Sequence, residues 1–392
     1  MKPGYKMTEV GVIPEDWNVV SLNDVCIKIQ DGTHFSPKPG GNDYYYITSK
    51  NIAIGHLDLS DVSRIDALQH RNIYKRCDVK VGDLLLTKDG VNTGNAAMND
   101  LDEEFSLLSS VAMLRFHISI YHPQYFMYQI LSDLGQNRIR GLMSGNAITR
   151  LTLEKIRLLR FPSPTSLDEQ RCISGLLSDI DSLITSLEKL IGKKKLIKQG
   201  AMQELLTGKK RLPGFSGKWE TKTIDDIFSY ERPDKYIHWD TDLENIGSVP
   251  VLTANKSFIL GYAKCADGIC SNLPAIIFDD FTTDSKFVSF PFKVKSSAIK
   301  ILRTKHRADD LRFIHGLMKL IKFSLGGHKR YYLSEYRHLE VIMPSSEEQK
   351  AISDVLESMD SEIKALTQQL SKYRLIKEGM MQELLTGRIR LI

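Results

Sequence analysis

The chain has 392 residues, with 42% hydrophobic and 26% charged side chains and a formal net charge of +5. That length allows two or three domains with ample core, and no apolar run approaches the ~20 residues of a membrane span. The amino-terminal stretch has no continuous apolar segment after its lysines, which reads against a signal peptide, and the five cysteines form no C-x-x-C pair, which points to reduced thiols in a cytoplasm. The modest positive charge permits a nucleic-acid partner without demanding one.

Along the chain, Pro14-Glu15-Asp16-Trp17 leads into Val20-Ser21-Leu22-Asn23-Asp24, a turn, a tryptophan and a short helix start. Tyr46 to Asn51 reads as a short strand running into a polar loop. Gly82-Asp83-Leu84-Leu85-Leu86-Thr87-Lys88-Asp89-Gly90 reads as a buried strand entering a loop of small polar residues, Val91 to Gly94. Gly145 to Leu151 is a further polar loop, and a final strand reaches Phe161-Pro162, where proline breaks the pattern.

Glu169 to Leu212 then carries apolar residues at Ile173, Leu177, Ile180, Ile184, Leu187 and Ile191, steps of four and three that make the heptad seam of a coiled coil. Leu-Leu-Thr-Gly closes it, with Gly208 suited to the left-handed residue after a helix. Counted from the preceding proline, the helix has about 40 residues, so it spans roughly 60 Å. The lysine run Lys193-Lys194-Lys195 reads as a solvated face, with phosphate contact as the alternative.

The second half repeats the first. Gly214 to Trp219 leads into Thr223-Ile224-Asp225-Asp226, and Val251 to Lys256 parallels Tyr46 to Asn51. Leu273 to Phe281 is set opposite Gly82 to Gly90, so that Asp279 faces Lys88, and Thr282 to Ser285 follows as its loop. Gly327 to Leu333 parallels Gly145 to Leu151, and Met343-Pro344 ends the globule. Glu348 to Leu391 aligns with Glu169 to Leu212 without a gap at an offset of 179, with 23 of 44 positions identical. Its seam is Ile352, Leu356, Met359, Ile363, Leu366 and Leu370, and the two seams are expected to pack on each other.

Identity is concentrated in the tails, where 11 of the 13 positions from Leu196 to Gly208 match their counterparts. A seam needs only apolar character, so the tails point to one surface presented twice to two copies of a partner. Its residues are Leu196, Lys198, Met202, Gln203 and Leu206, and Leu375, Lys377, Met381, Gln382 and Leu385. Gly200 and Gly379 fall mid-helix and predict a bend or break.

These elements give an α+β chain: a mixed globule over 1–160, a helix over 161–208, a related globule over 209–342 and a second helix over 343–392. The frames match while the loops differ, the pattern of one scaffold reading two targets.

No phosphate loop, dinucleotide loop, zinc-binding H-E-x-x-H or nucleophile elbow is present. Asp280, Asp284 and Lys286 have the residue types of a metal-dependent nuclease core, but the spacing is short and the first half has no counterpart. Cys265 and Cys270 lack a histidine to complete a zinc site. The loop residues carry more: Lys50, Lys88, Asn92, Thr93, Asn146 and Arg150 in the first half, and Asn255, Lys256, Thr282, Thr283, Lys286, His328, Lys329 and Arg330 in the second. These side-chain types reach base edges and phosphates.

With the Trp17 and Trp219 openings, GDLLLTKDG at 82–90, LPAIIFDDFTTDSKF at 273–287, the proline-preceded Glu-Gln starts of both helices and the two QELLTG endings, the whole chain resembles the specificity subunits of Type I restriction-modification systems. The resemblance implies two target recognition domains, each reading one half of a bipartite DNA sequence. It implies an antiparallel coiled coil that fixes their spacing and docks two methyltransferase subunits, with restriction subunits joining the complex. It further implies a non-catalytic subunit with no cofactor, since S-adenosylmethionine, ATP and Mg belong to the partners. A self-contained nuclease and a scaffold that does not touch DNA are the competing readings.

Overall fold

Leu84–Thr87 is buried at every position in the computed structural model, which describes residues 3–38, 41–143, 150–240, 242–254, 257–264, 267–327 and 329–391. A run without polar alternation is a strand covered on both faces, and the fold supplies both covers. The chain divides into two units. Unit 1 is Met1–Leu187 with Gln369–Ile392, and unit 2 is Glu188–Gln368.

Unit 1 contains Cys26–Asp31 (β1), Tyr44–Ile47 (β2), Ser63–Ile65 (β3), Leu84–Thr87 (β4), Ala96–Met98 (β5), Phe105–Leu107 (β6) and Val111–Phe116 (β7). They form a four-stranded antiparallel sheet in the order β1-β7-β4-β5 and a three-stranded sheet in the order β3-β2-β6, in which β2 and β6 are parallel. Pro123–Leu131 (α1), with proline in its first turn, and Asp133–Leu142 (α2), capped by Ser132, lie beside them. The core gathers Trp17, Leu84, Leu86, Leu114, Phe126 and Phe161 with Ile173 and Leu177 of the long helix Leu167–Leu205 (α3).

Unit 2 repeats this order with Phe228–Glu231 (β8), Val249–Leu252 (β9), Ile259–Ala263 (β10), Ala275–Asp279 (β11), Ser285–Val288 (β12), Lys293–Val294 (β13) and Ile299–Thr304 (β14). Its sheets run β8-β14-β11-β12 and β10-β9-β13, with β9 and β13 parallel. Leu311–Met318 (α4) stands where α1 does, and Ser346–Leu384 (α5) is the second long helix.

Each long helix has 39 residues and runs unbroken through Gly200 or Gly379, so the predicted break does not occur. A Cβ at either glycine would meet nothing within 4 Å, and a single exposed glycine costs only about 1 kcal/mol of helix propensity. Each unit holds a segment of both helices. In unit 2, Lys194 of α3 lies 2.7 Å from Glu362 of α5, and Lys198 meets Asp360; as one number rises the other falls, so the segments are antiparallel. In unit 1, Lys377 of α5 lies 2.6 Å from Asp181 of α3. Every predicted seam position in both helices is buried or half-buried, whereas neighbours such as Thr185, Glu188 and Lys364 are exposed.

Candidate nucleic-acid interface

In unit 1, the end of β4 turns through Asp89 to Gly94, with Gly90 and Gly94 at φ of +97° and +99°. Thr93 Oγ1 donates to the Gly90 carbonyl at 2.6 Å, and Asn92 and Asn95 side chains donate to the carbonyls of Ser49 and Ile52. These bonds bring Asn92 and Thr93 to the loop that carries exposed Lys50, which pairs with Asp61 at 2.8 Å. Val91 stands fully exposed at the tip. Arg150 reaches back to Asp89, 3.3 Å away. Five of the predicted loop residues therefore gather at one end of the sheet, while Asn146 lies outside the described residues.

Lys88 departs from its predicted role. Its side chain is 2% exposed, and its ammonium lies 3.5 Å from Asp31 and 3.1 Å from Asp89. A buried lysine with two carboxylates is held by them and cannot extend into a groove. It positions the loop instead. Asp31 also meets His34 at 3.2 Å and Arg76 at 3.6 Å, so these three residues, which no motif marks, join the site only through the fold.

Unit 2 builds the same turn from different residues. Asp279 Oδ1 accepts the backbone N–H groups of Phe281 and Thr282 at 2.9 Å and the Thr282 hydroxyl at 3.2 Å. Thr283 donates to the Asp279 carbonyl as Gly94 does to that of Thr87, and it adopts φ +59°, a left-handed conformation costly for a β-branched residue. Asp280 N bonds to Ala298 O as Lys88 N bonds to Ser110 O, and the carbonyls of both take a further N–H, from Tyr331 and Leu151. Lys88 is thus the equivalent of Asp280, one place from the sequence alignment that set it opposite Asp279. The buried charge is inverted: Asp280, 2% exposed at its side chain, pairs with Lys300 at 3.1 Å and accepts Tyr332 N at 2.7 Å.

Arg330 stacks its guanidinium 5.9 Å from the Phe281 ring, beside Thr282 and Thr283, and Lys329 pairs with Glu335. Lys286 is not with them. It is paired with Ile277 in mid-strand, and its charge is felt at His315 and Lys319, in and just after α4. Asn255, Lys256 and His328 lie outside the described residues. The nuclease reading needs Asp280 free beside Asp284 and Lys286, and Asp280 is committed to Lys300. Among the described residues no group of three or more His, Cys, Asp or Glu is placed to hold a metal ion.

The helix bases repeat a set of buried polar contacts. In unit 1, Glu169 takes the Trp17 indole N–H at 3.3 Å and the Arg390 guanidinium at 2.5 and 2.9 Å, while Arg390 also clamps Asp16. Arg390 holds the Asp16 carboxyl below its ordinary range. In unit 2, Glu348 takes the Trp219 indole at 3.2 Å and Arg211 at 2.6 Å through both oxygens. Gln170 and Gln349 donate to Pro164 and Pro344 carbonyls and accept from His122 N and Asp310 N. Gly208 and Gly387, at φ +70° and +71°, pack against Trp219 and Trp17, where any Cβ would meet a ring or proline. The tail of each long helix is therefore anchored beside the start of the other.

This corrects the predicted partner surface. Leu206 and Leu385 are buried in the unit cores at 0% and 2% exposure, and Gln129 donates to the Leu385 carbonyl. Lys198 and Lys377 are spent on Asp360 and Asp181. Met202 and Met381 are half-buried against the cores. Much of the near-identity of the tails is satisfied inside the chain. Leu196, Ile197 and Gln203, and Leu375, Ile376 and Gln382, remain exposed, with Leu196 and Leu375 at 70% and 68%.

Comparison with known proteins bears on these loops and bases. The Type I restriction modification DNA specificity domain family matches residues 14–199 and 216–372. The chain is 35% identical over 181 residues to the EcoR124I/EcoR124II specificity subunit of Escherichia coli, an alignment covering 43% of this chain and 44% of that protein. It is 25% identical over 427 aligned residues to the putative MjaX specificity subunit of Methanocaldococcus jannaschii, covering 98% of this chain and 96% of that one. The fold is similar to that of a solved type I restriction-modification S subunit from M. genitalium, at TM-score 0.64 and 14% identity over 98% of this chain and 99% of that one. A chain solved for complex assembly and conformational transition of the type I R-M system superposes at TM-score 0.57 and 12% identity, over 96% and 99%. With the family matched over both globules and most of both helices, the chain belongs to the specificity subunits of Type I restriction-modification systems.

Proposed function

We propose that each unit reads one half of a bipartite, asymmetric DNA site through its loop end, and that the two long helices pair as one antiparallel coiled coil that sets the distance between the halves. The observation that carries this reading is the repeated base with unlike ends. The same strand order and turn present Asn92, Thr93 and Arg150 in one unit and Thr282, Thr283 and Arg330 in the other. One scaffold bearing two sets of groove-reaching side chains fits two different half-sites. Two methyltransferase subunits dock on the exposed Leu196–Ile197 and Leu375–Ile376 patches. The chain itself is non-catalytic and needs no cofactor; the methyltransferases bring S-adenosylmethionine, and restriction subunits bring ATP- and Mg-dependent cleavage.

The test is DNA affinity of the complex assembled with its methyltransferase partner, measured against salt concentration. Affinity falling steeply with salt, with a slope of about 0.9 per phosphate contacted, is the expected result. Arg150→Ala and Arg330→Ala each lower affinity for a cognate duplex. A complex whose partners assemble but whose DNA affinity is negligible at all salt concentrations supports the scaffold reading instead. Mg-dependent cutting by the chain alone, lost in Lys286→Ala, supports the nuclease.

A further inference from the structure

Unit 1 places a tyrosine ring where unit 2 has a glycine. Gln170 and Gln349 both accept from the residue that precedes their adjoining helix, His122 before α1 and Asp310 before α4. That shared anchor makes Tyr128, six residues after His122, the equivalent of Gly316, six after Asp310. Tyr128 is buried, donates from its hydroxyl to Asp181 Oδ2 at 2.9 Å, and lies with its ring 5.8 Å from the Lys377 ammonium, which itself pairs with Asp181. Burial and the Asp181 carboxylate both push its phenol pKa up, so the hydroxyl stays a donor.

At the offset of 179, Asp181 becomes Asp360 and Lys377 becomes Lys198, and these two pair in unit 2 as their counterparts do in unit 1. The acceptor for a phenol hydroxyl and the cation for a ring face are both kept. The ring is gone. In its place a cleft of about 430 Å³ opens beside Gly316, lined by Lys198, Met202, Phe287, His315, Leu356 and Asp360. A Cβ on Gly316 would stand 3.0 Å from Leu206 Cδ1, so residue 316 is poorly placed to supply a ring of its own. His315 is neutral at pH 7, its pKa pushed down to about 4 by burial and by Lys319 and Lys286, and Lys319 stands on the same wall of the cleft beside Phe287.

We propose that this cleft of unit 2 binds a para-substituted phenol, held by a hydrogen bond to Asp360, a cation above its face at Lys198 and apolar contact with Met202, Phe287 and Leu356. The ring is supplied either by the tyrosine side chain of another protein or by a small phenolic compound. The reading does not depend on DNA recognition, since it rests on the repeat alone.

The experiment is ligand-observed NMR titration of the full chain with p-cresol, toluene and N-acetyl-tyrosinamide. For a ligand of this size a Kd of about 1 mM for p-cresol is expected. Toluene, which has the ring but no hydroxyl, is expected to bind about tenfold more weakly. Asp360→Ala, an exposed change that leaves the cleft open and removes the acceptor, removes that preference. Binding of N-acetyl-tyrosinamide as tight as p-cresol assigns the cleft to a protein tyrosine, and its exclusion while p-cresol binds assigns it to a small phenol. No p-cresol binding at 10 mM, equal binding of toluene, or a preference unchanged in Asp360→Ala overturns the proposal.

Discussion

Glu169 and Glu348 are exacting residues, because each is a carboxylate at 2% side-chain exposure satisfied by one indole and one guanidinium. Removing the arginine leaves a buried charge without its partner, which costs about 3–5 kcal/mol. Arg390→Ala is therefore expected to destabilise unit 1 by an amount of that order in denaturant unfolding, and Arg211→Ala to destabilise unit 2. A loss under 1 kcal/mol in Arg390→Ala, or no loss in Arg211→Ala, contradicts the role assigned here. The identities Glu169/Glu348 and Arg211/Arg390 stand in the sequence at one offset, so their importance was legible. Their pairing was not, because Arg390 meets a residue 221 positions away and only the fold brings it back. Lys88 shows the opposite failure: its residue type suits a phosphate, and burial between Asp31 and Asp89 gives it another task.

His315 gives a pH dependence with a definite sign. Its folded pKa is about 4 against an ordinary value of 6.5, so the unfolded chain takes up a proton that the folded chain refuses. Its contribution is fully present above pH 6.5 and is lost as pH falls toward 4, by at most about 3 kcal/mol. Replacing it with methionine, the residue at the equivalent Met127, is expected to flatten the melting temperature of the full chain between those limits relative to the parent. Parallel curves for the two proteins contradict the assignment.

At the scale of elements, the seam was readable because a 4-3 spacing of apolar residues has one simple geometric meaning, and the helices form with that face covered. The offset between β4 and β11 was not. Leu84–Thr87 and Ala275–Asp279 are buried throughout, and a strand without polar alternation gives no signal to distinguish neighbouring registers. Backbone bonds at Lys88 and Asp280 decide it. The helix pair also makes a prediction. Seven residues inserted into both helices, after Leu187 and after Gln368, preserve the seam and lengthen the pair by about 10 Å. If the helices are the ruler, the tolerated gap in the DNA site grows by about three base pairs at 3.4 Å each, with both half-sites unchanged. An unchanged gap in a complex that still methylates contradicts the ruler.

For the whole molecule, duplication is what made the fold legible: strand order, turn and helix base recur, so each half supports the reading of the other. The recognition ends resist the same treatment, because which side chains face outward depends on pairing that residue type does not reveal. Arg150 and Arg330 are exposed while Lys88 is enclosed, and Lys286 sits in mid-strand near α4. The central claim is that one chain carries two different half-site readers. It is tested most directly by sequencing the methylome of cells that express the chain with its methyltransferase partner. A single new bipartite motif, with unlike halves and a modified adenine in each, is the predicted result. A stable complex that produces no new methylation, or one uninterrupted motif, contradicts it.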